Sequence, residues 1–258
     1  MLIVQYGQAK SGSSFIFQIL TDLFQNRFLS WSDYMKNRNG FVPEKFHGDY
    51  IDLFNDEMEE IAGMVPKHEF FMLKTHSAPN QANWQDGLPD APSEKYQDWL
   101  KNDHLKVIAT LRDPRDMCLS YLDHAEAYRR GEKDFFDNKI YSVFDAIPNV
   151  QNEYRILKYW TAYSGVHWVS YPQICNEPFR ILESMKKYIG LYHIDSRSFL
   201  EKLLENRSKI HQFNKGYVDR WKQELVPEDA EKLTQLLEPE LAQYEKVCRR
   251  AEVCINLA

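Results

Sequence analysis

The stretch LIVQYGQAKSGSSF, residues 2–15, carries the signal that decides the fold. It begins with an apolar run of the length of a buried β-strand, and Gly7 follows that run at once. After Ser14, apolar side chains recur at a spacing near 3.6, which is typical of an amphipathic helix. A glycine-rich turn between a strand and a helix presents backbone N–H groups and the positive end of a helix dipole to a phosphate. The stretch therefore predicts an anion-binding turn.

This turn departs at one position from the nucleotide-binding pattern GxxxxGK[ST]. Gly7 and Gly12 have the correct separation, and Ser14 supplies the final hydroxyl. Ser13, however, stands where the lysine belongs, and the lysine occurs three residues earlier as Lys10. The shift changes which group of a ligand the lysine reaches, and it argues against hydrolysis of ATP or GTP. For the turn alone, a plain strand-to-helix connection with a solvated lysine is the alternative.

The order of apolar runs along the chain predicts an α/β fold. Short runs typical of buried strands are Leu2–Tyr6, Phe70–Leu73, Val107–Leu111 and Val166–Tyr171. Helical patterns lie between them, and a last helical stretch is predicted to kink or split at Pro239. We predict a single domain over residues 1–258, in which helices flank a central parallel sheet with a P-loop-like turn. The segments 25–69 and 79–105 are predicted to be irregular insertions that carry substrate contacts.

Polar side chains follow the predicted strands at the point where each strand ends. Lys74 and His76 come after the second strand, and Arg112 comes after the third, with Ser120 two helical turns later. Because ligands of parallel sheets bind outside the carboxyl ends of strands, these residues are candidates for one anion site with a histidine base. The alternative is structural. It makes the histidine a packing residue, and it makes residues 112–116 a helix cap with a surface ion pair.

Composition excludes several classes of function. The formal net charge is −6, from 38 acidic and 32 basic residues, which disfavours a general affinity for nucleic acid or anionic membrane. The amino terminus lacks the pattern of a signal peptide, and no run is long enough to span a membrane. We therefore expect a cytoplasmic protein whose 4 cysteines are reduced thiols. No histidine or cysteine pattern has metal-ligand spacing, so no metal site is expected.

Five segments, taken in order, resemble the sulfotransferases that use 3′-phosphoadenosine 5′-phosphosulfate (PAPS). AKSGSSF is similar to the family's PKSGTTW loop, LKTHSAP to its KTH strand end, and LRDPRDMCLSY to its RNPRDVAVSY segment. VSYPQICNEPFRILESMKKYIGL and FNKGYVDRW are similar to two later family segments, the second of which is RKGxxGDW. Together the matches run from residue 5 to about residue 222.

The resemblance implies PAPS as the sulfuryl donor, PAP as the product, and a specific set of roles. His76 matches the catalytic base, Lys74 the lysine that stabilises the transferring sulfonate, and Lys10 the lysine near the leaving oxygen. The implied donor-binding residues are Lys10, Ser11, Gly12, Ser13 and Ser14 at the 5′-phosphosulfate, Phe15, Tyr171 and Phe199 at the adenine, and Arg112, Ser120, Lys215 and Gly216 at the 3′-phosphate. In-line transfer of this kind needs a base and cations but no metal.

The sequence departs from the family at two places in the last segment. Asn214 replaces an arginine that holds the 3′-phosphate, and Asp219-Arg220-Trp221 replaces GDW. The expected acceptor is a hydroxyl, less favourably an amine, of a small or lipid-like molecule, and the oligomeric state is left open. Two other functions fit parts of the pattern: a P-loop kinase-like phosphotransferase, and a relative that binds PAPS or PAP without catalysis.

Overall fold

The computed structural model describes residues 1–24, 28–30, 70–78, 93–132, 139–205 and 216–256. Within these ranges, parallel strands form one sheet of 5 strands in the order β2-β3-β1-β4-β5. The strands are β1 (Leu2–Gly7), β2 (Phe28–Ser30), β3 (Phe70–Thr75), β4 (Leu105–Leu111) and β5 (His167–Ser170). Because β1 pairs with both β3 and β4, the turn that follows β1 lies between the ends of these two strands.

Ten α-helices connect and follow the strands in the described residues. They are α1 (Ser13–Phe24), α2 (Glu94–Lys101), α3 (Pro114–Arg129), α4 (Ile147–Trp160), α5 (Tyr171–Asn176), α6 (Pro178–Ile189), α7 (Ser196–Glu205), α8 (Arg220–Glu224), α9 (Pro227–Leu236) and α10 (Glu238–Asn256). Local sequence sets several ends. The Asp113 side chain accepts from the Arg115 N–H and caps α3, and Gly190 ends α6 in the left-handed conformation with φ 81°.

The sheet is buried on both faces, as its apolar strands require. On one face Leu2, Val4 and Tyr6 of β1 belong to a hydrophobic cluster with Trp160. The Tyr6 and Trp160 rings stack with their centroids 5.2 Å apart. On the other face Ile3 belongs to a second cluster, which contains the apolar residues of α1 and α6. The central strand is therefore fixed from both sides, and its end is a rigid base for the turn.

The predicted α/β class and parallel sheet are confirmed, and some details differ. All four predicted strands are present, but the edge strand β2 was not predicted, because it has only 3 residues. The interpretation of 25–69 and 79–105 as irregular is wrong where β2 and α2 lie within these segments. The break expected at Pro239 is present, since α9 ends at Leu236 and α10 begins at Glu238.

Among the described helices, none combines the length and the apolar character that a membrane crossing requires.

We predict that Gly7→Ala destabilises the protein strongly for a steric reason. A Cβ atom at Gly7 would lie 2.2 Å from Ser13 Cβ and 2.6 Å from Thr110 Oγ1, so the turn, the helix or β4 must move. We expect a loss of about 3 kcal/mol in the free energy of unfolding, measured by urea denaturation. Gly190→Ala is the control, because a Cβ there meets nothing and only the left-handed backbone costs about 1 kcal/mol. Equal losses in the two variants would contradict the steric argument.

Candidate active site

The carboxyl ends of the parallel strands bring several of the predicted site residues to one edge of the sheet. The register pairs Tyr6 with Thr75 and Gly7 with Thr110, so β1, β3 and β4 end side by side. The turn from Gly7 to α1 therefore lies between His76, which follows β3, and Arg112, which follows β4. This is the edge at which open α/β sheets bind their ligands.

The turn before α1 has an unusual backbone that several contacts hold. Lys10 has φ 69°, although it is not glycine, and Gly12 has φ 85°. The Ser11 hydroxyl lies 2.6 Å from the Gln8 carbonyl, to which it donates, and 2.7 Å from Thr110 Oγ1. The Gly12 carbonyl accepts from the N–H groups of residues 15 and 16. The first N–H groups of α1, at residues 13 and 14, have no acceptor within the helix and lie at its positive end.

Lys10 is held through both its backbone and its side chain. Its carbonyl accepts a hydrogen bond of 3.2 Å from Arg112 Nη1. Its Nζ lies 2.9 Å from Nδ1 of His124, a residue of α3. Since an ammonium group only donates, the His124 Nδ1 is the acceptor in this contact. The sequence pattern gave no indication of His124, because this histidine belongs to none of the motifs.

Lys74 and His76 lie on the other side of the turn. Lys74 Nζ donates to Ser14 Oγ over 2.8 Å. His76 Nδ1 contacts the Gly7 carbonyl, which can only accept, so Nδ1 carries the proton and the lone pair of the neutral ring is on Nε2. Burial lowers the pKa of Lys74 to about 8. Burial, with the positive charges of Lys74 and Lys10, lowers the pKa of His76 to about 3. The histidine is therefore neutral at physiological pH.

Arg112 connects the turn to the last segment of the site. Its guanidinium lies 3.9 Å from the centre of the Tyr171 ring, and its Nη2 donates to the Tyr217 carbonyl over 3.3 Å. The side chain is only 3% exposed, and its Nε has no hydrogen-bond partner in the described part of the chain. Its ion pair with Asp116 is long, at 3.5 Å. The guanidinium thus keeps unused capacity to bind an anion.

Residues 112–116 can be interpreted either as part of an anion site or as a helix cap with an ion pair. Each interpretation applies to different residues of the segment. Asp113 caps α3 and forms a 2.6 Å ion pair with Arg115, as the structural alternative predicted. Arg112 instead faces the turn, and Ser120 of α3 is buried at 3% exposure. The segment therefore starts the helix and also supplies a cation to the candidate site.

Of the three residues predicted to contact adenine, one lies beside the glycine-rich turn and two belong to or pack against a hydrophobic cluster. Tyr171 lies against the site, because a Cβ at Gly12 would be 3.2 Å from its ring. Phe15 is 8% exposed and belongs to the apolar cluster of α1, and Phe199 packs against the same cluster. The two phenylalanines thus share one hydrophobic cluster, and their contact with adenine stays a prediction.

The last motif is only partly within the described residues. Gly216 has φ 73°, whereas Lys215 and Asn214 lie outside the described ranges. Asp219 has φ 58°, at a position where the resembled family has glycine. Arg220, where that family has aspartate, is 2% exposed and forms ion pairs of 2.8 Å with Asp123 and 2.7 Å with Glu224. The substitution of a cation for an anion is therefore matched by two acidic partners.

Glu153 of α4 is a residue of the site that the motifs did not reveal. Its Oε2 accepts from the Ala9 N–H over 2.9 Å, and the side chain is 8% exposed. A sequence signal was available. Glu153 falls at helical spacing with Val150, Tyr154 and Leu157, all of which are buried, and an acidic residue at a core position requires a buried partner.

Comparison with known proteins assigns the chain to a family. A family model described as "Sulfotransferase domain" matches residues 3–245. The chain belongs to the sulfotransferase family. This membership confirms the expected enzyme class, a PAPS-dependent sulfotransferase. A search of curated protein sequences found no match.

Solved structures agree with this sulfotransferase fold. Retinol dehydratase in complex with retinol and PAP is 16% identical, with a TM-score of 0.50 over 93% of this chain and 81% of that chain. Mouse sulfotransferase SULT7A1 in complex with PAP is 14% identical, with a TM-score of 0.51 over 98% of this chain and 86% of that chain. In the part of this sulfotransferase that the structure describes, no group of three or more histidine, cysteine, aspartate or glutamate residues could hold a metal ion.

We predict that glycine is preferred over alanine at Asp219 in this sulfotransferase. The left-handed backbone there costs a residue with a Cβ about 1 kcal/mol, so Asp219→Gly should be more stable than Asp219→Ala by that amount. Glu231 on the exposed face of α9 is the control site, because in a helix alanine should exceed glycine by a similar amount. Urea denaturation measures all four variants. The same order at both sites would show that Asp219 is not left-handed in solution.

Proposed function

We propose that this chain transfers the sulfuryl group of PAPS to a hydroxyl group of an acceptor, with His76 as the base. The observation that carries the proposal is the contact between His76 Nδ1 and the Gly7 carbonyl, which assigns the lone pair to Nε2. The histidine also follows the strand next to the turn with Lys10. A base and a leaving-group cation on two sides of one turn suit an in-line displacement.

His76 would remove the acceptor proton as the oxygen attacks sulfur. Burial, and to a smaller extent the positive charges of Lys74 and Lys10, lowers the pKa of His76 to about 3. The ring is therefore neutral at neutral pH and can accept a proton. The same low pKa makes it a weak base. The negative charge of a bound donor would oppose the two lysines and raise the pKa of His76, since an opposite charge favours the protonated form. Basicity would thus increase when the donor is in place.

Lys10 and Lys74 would stabilise negative charge at different positions. Lys10 lies on the turn, where it would reach the bridging oxygen that leaves, and it would exchange its contact with His124 for that oxygen. Lys74 contacts Ser14 and would hold the equatorial oxygens of the sulfonate. With a pKa of about 8, Lys74 is mostly protonated at neutral pH, and it would lose its charge above that value.

Arg112 supports binding of the 3′-phosphate, together with Ser120, Lys215 and Gly216. The buried guanidinium keeps one unpaired N–H among the described residues, and it lies over the Tyr171 ring. Serines 11, 13 and 14 and Gly12, with the N–H groups that begin α1, would hold the 5′ end of the donor. Phe15 and Phe199 are proposed near the adenine.

The proposed acceptor is a small or lipid-like alcohol. Retinol, which is present in the retinol dehydratase structure, is an apolar alcohol of this kind.

The proposal includes a cytoplasmic location, because no disulfide joins the four cysteines, which all lie in described helices.

We predict that His76→Asn reduces kcat by roughly 10²- to 10⁴-fold, the scale of a lost general base. Asparagine can still donate to the Gly7 carbonyl, so the turn should keep its shape, and PAP should raise the melting temperature of this variant and of the wild type equally. His193→Asn, at an exposed position, is the control and should retain activity. Labelled PAPS and a panel of alcohols provide the assay. Undiminished kcat in His76→Asn would remove the histidine from the mechanism.

We predict that Arg112→Lys weakens binding of PAP by about 1.5–3 kcal/mol, which is roughly tenfold to a hundredfold in Kd. Lysine keeps the charge but loses the forked donors and the stacking on Tyr171. Isothermal titration with PAP and with adenosine 5′-monophosphate measures the loss, which should be larger for PAP. The exposed Arg155→Lys serves as the control. An unchanged affinity for PAP would mean that Arg112 does not hold the 3′-phosphate.

A further inference from the structure

Glu153 is a buried carboxylate that the proposed chemistry does not use. It lies on α4, where the neighbouring buried side chains, Val150, Tyr154 and Leu157, are apolar or aromatic. A carboxylate at such a position loses the solvation that it would have in water, and this loss must be offset by specific hydrogen bonds. The contacts of Glu153 therefore indicate its role.

Both carboxylate oxygens of Glu153 have partners close to the turn. Oε2 accepts from the Ala9 N–H over 2.9 Å, and Oε1 accepts from the Tyr121 hydroxyl over 3.4 Å. Ala9 immediately precedes Lys10, whose φ of 69° is costly for a residue with a Cβ. Arg112 Nη1 donates to the Lys10 carbonyl from the other side. The strained residue is thus fixed by a hydrogen bond before it and another after it.

Glu153 titrates close to neutral pH. Burial raises the pKa of Glu153 to about 7, although the Ala9 N–H, the Tyr121 hydroxyl and the positive charge of Lys10 act in the opposite direction. The titratable groups that face it are Lys10 on the turn and Tyr121 on α3, and His124 of α3 contacts Lys10. The carboxylate form is the stronger acceptor for the Ala9 N–H.

We propose that Glu153 is a positioning residue, whose carboxylate holds the Ala9 N–H and thereby places Lys10 at the leaving oxygen of the donor. This proposal rests on the proposed function, since it gives Lys10 that role. When Glu153 is protonated, the hydrogen bond to Ala9 weakens and the backbone before Lys10 is held less firmly. Transfer should therefore be faster when Glu153 is ionised.

The test compares Glu153→Gln with the wild type, because glutamine keeps an acceptor oxygen but cannot ionise. We expect kcat to fall about tenfold to a hundredfold, the scale of a displaced catalytic group, while the rise in melting temperature with PAP is retained. In the wild type kcat/KM, which reports the donor-free enzyme, should rise with pH through about 7, and this rise should be absent in Glu153→Gln. The exposed Glu252→Gln on α10 removes the same charge and should behave like the wild type.

A second measurement does not depend on turnover. In protein labelled with ¹⁵N-alanine, the Ala9 amide resonance should shift with a midpoint near pH 7 in the wild type and should not shift in Glu153→Gln. A wild-type pH profile of kcat/KM in Glu153→Gln, or a lower melting temperature with unchanged kcat, would overturn the positioning role. Wild-type protein without any PAPS-dependent transfer would instead refute the proposed function, and the Ala9 resonance alone would then decide whether Glu153 holds this segment.

Discussion

The close approach of three segments at Gly7 is the constraint on which the site depends. No Cβ fits at this residue, because Ser13 of α1 and Thr110 of β4 already occupy the space. The carbonyl of the same residue accepts from His76, which follows β3. One glycine thus joins the ends of three neighbouring strands and the start of a helix. The orientation of the histidine ring is therefore a property of the sheet and not of a separate loop.

This arrangement concentrates positive charge at one edge of an acidic protein. Lys10, Lys74 and Arg112 meet there although the formal net charge of the chain is −6. Burial makes these cations costly, and the lowered pKa of Lys74 reports that cost. An anionic donor would offset it, whereas a neutral ligand would not. The local cluster, and not the overall charge, therefore determines which ligand class the site accepts.

The parts of the fold that the sequence predicts are those in which a short pattern fixes local geometry. The strand, the glycine-rich turn and the helix at residues 2–24 follow from hydrophobic periodicity and glycine spacing, and the strand-end positions of Lys74, His76 and Arg112 follow from parallel-sheet topology. Long-range contacts were not accessible in this way. Glu153 is 144 residues from Ala9, and His124 is 114 residues from Lys10, so only the folded chain brings them together.

The departure at Asp219-Arg220 shows how the fold absorbs a change of sequence. Aspartate is among the residues that tolerate the left-handed backbone, so the family's glycine can be replaced at a small cost. Arg220 reverses the charge that the family has at its position, but Asp123 of α3 and Glu224 of α8 surround it. In this chain the aspartate adopts the left-handed backbone, and two acidic side chains balance the charge of the arginine. A motif of this kind is thus better compared by conformation and charge pairing than by identity.

Burial lowers the pKa of His76 and raises the pKa of Glu153. The two shifts have opposite effects on how the stability of the protein changes with pH. His76 has a pKa of about 3 when folded and an ordinary value of 6.5, so between these values the unfolded chain binds more protons and stability rises with pH. Glu153 has a pKa of about 7 when folded and an ordinary value of 4.5, so in that window the folded chain binds more protons and stability falls as pH rises. The windows overlap between pH 4.5 and 6.5, where the two effects oppose each other. A stability curve that is flat there would therefore not mean that these groups are unperturbed. The pH dependence of kcat/KM is the more informative observable, because His76 and Glu153 would affect it at separate pH values, near 3 and near 7.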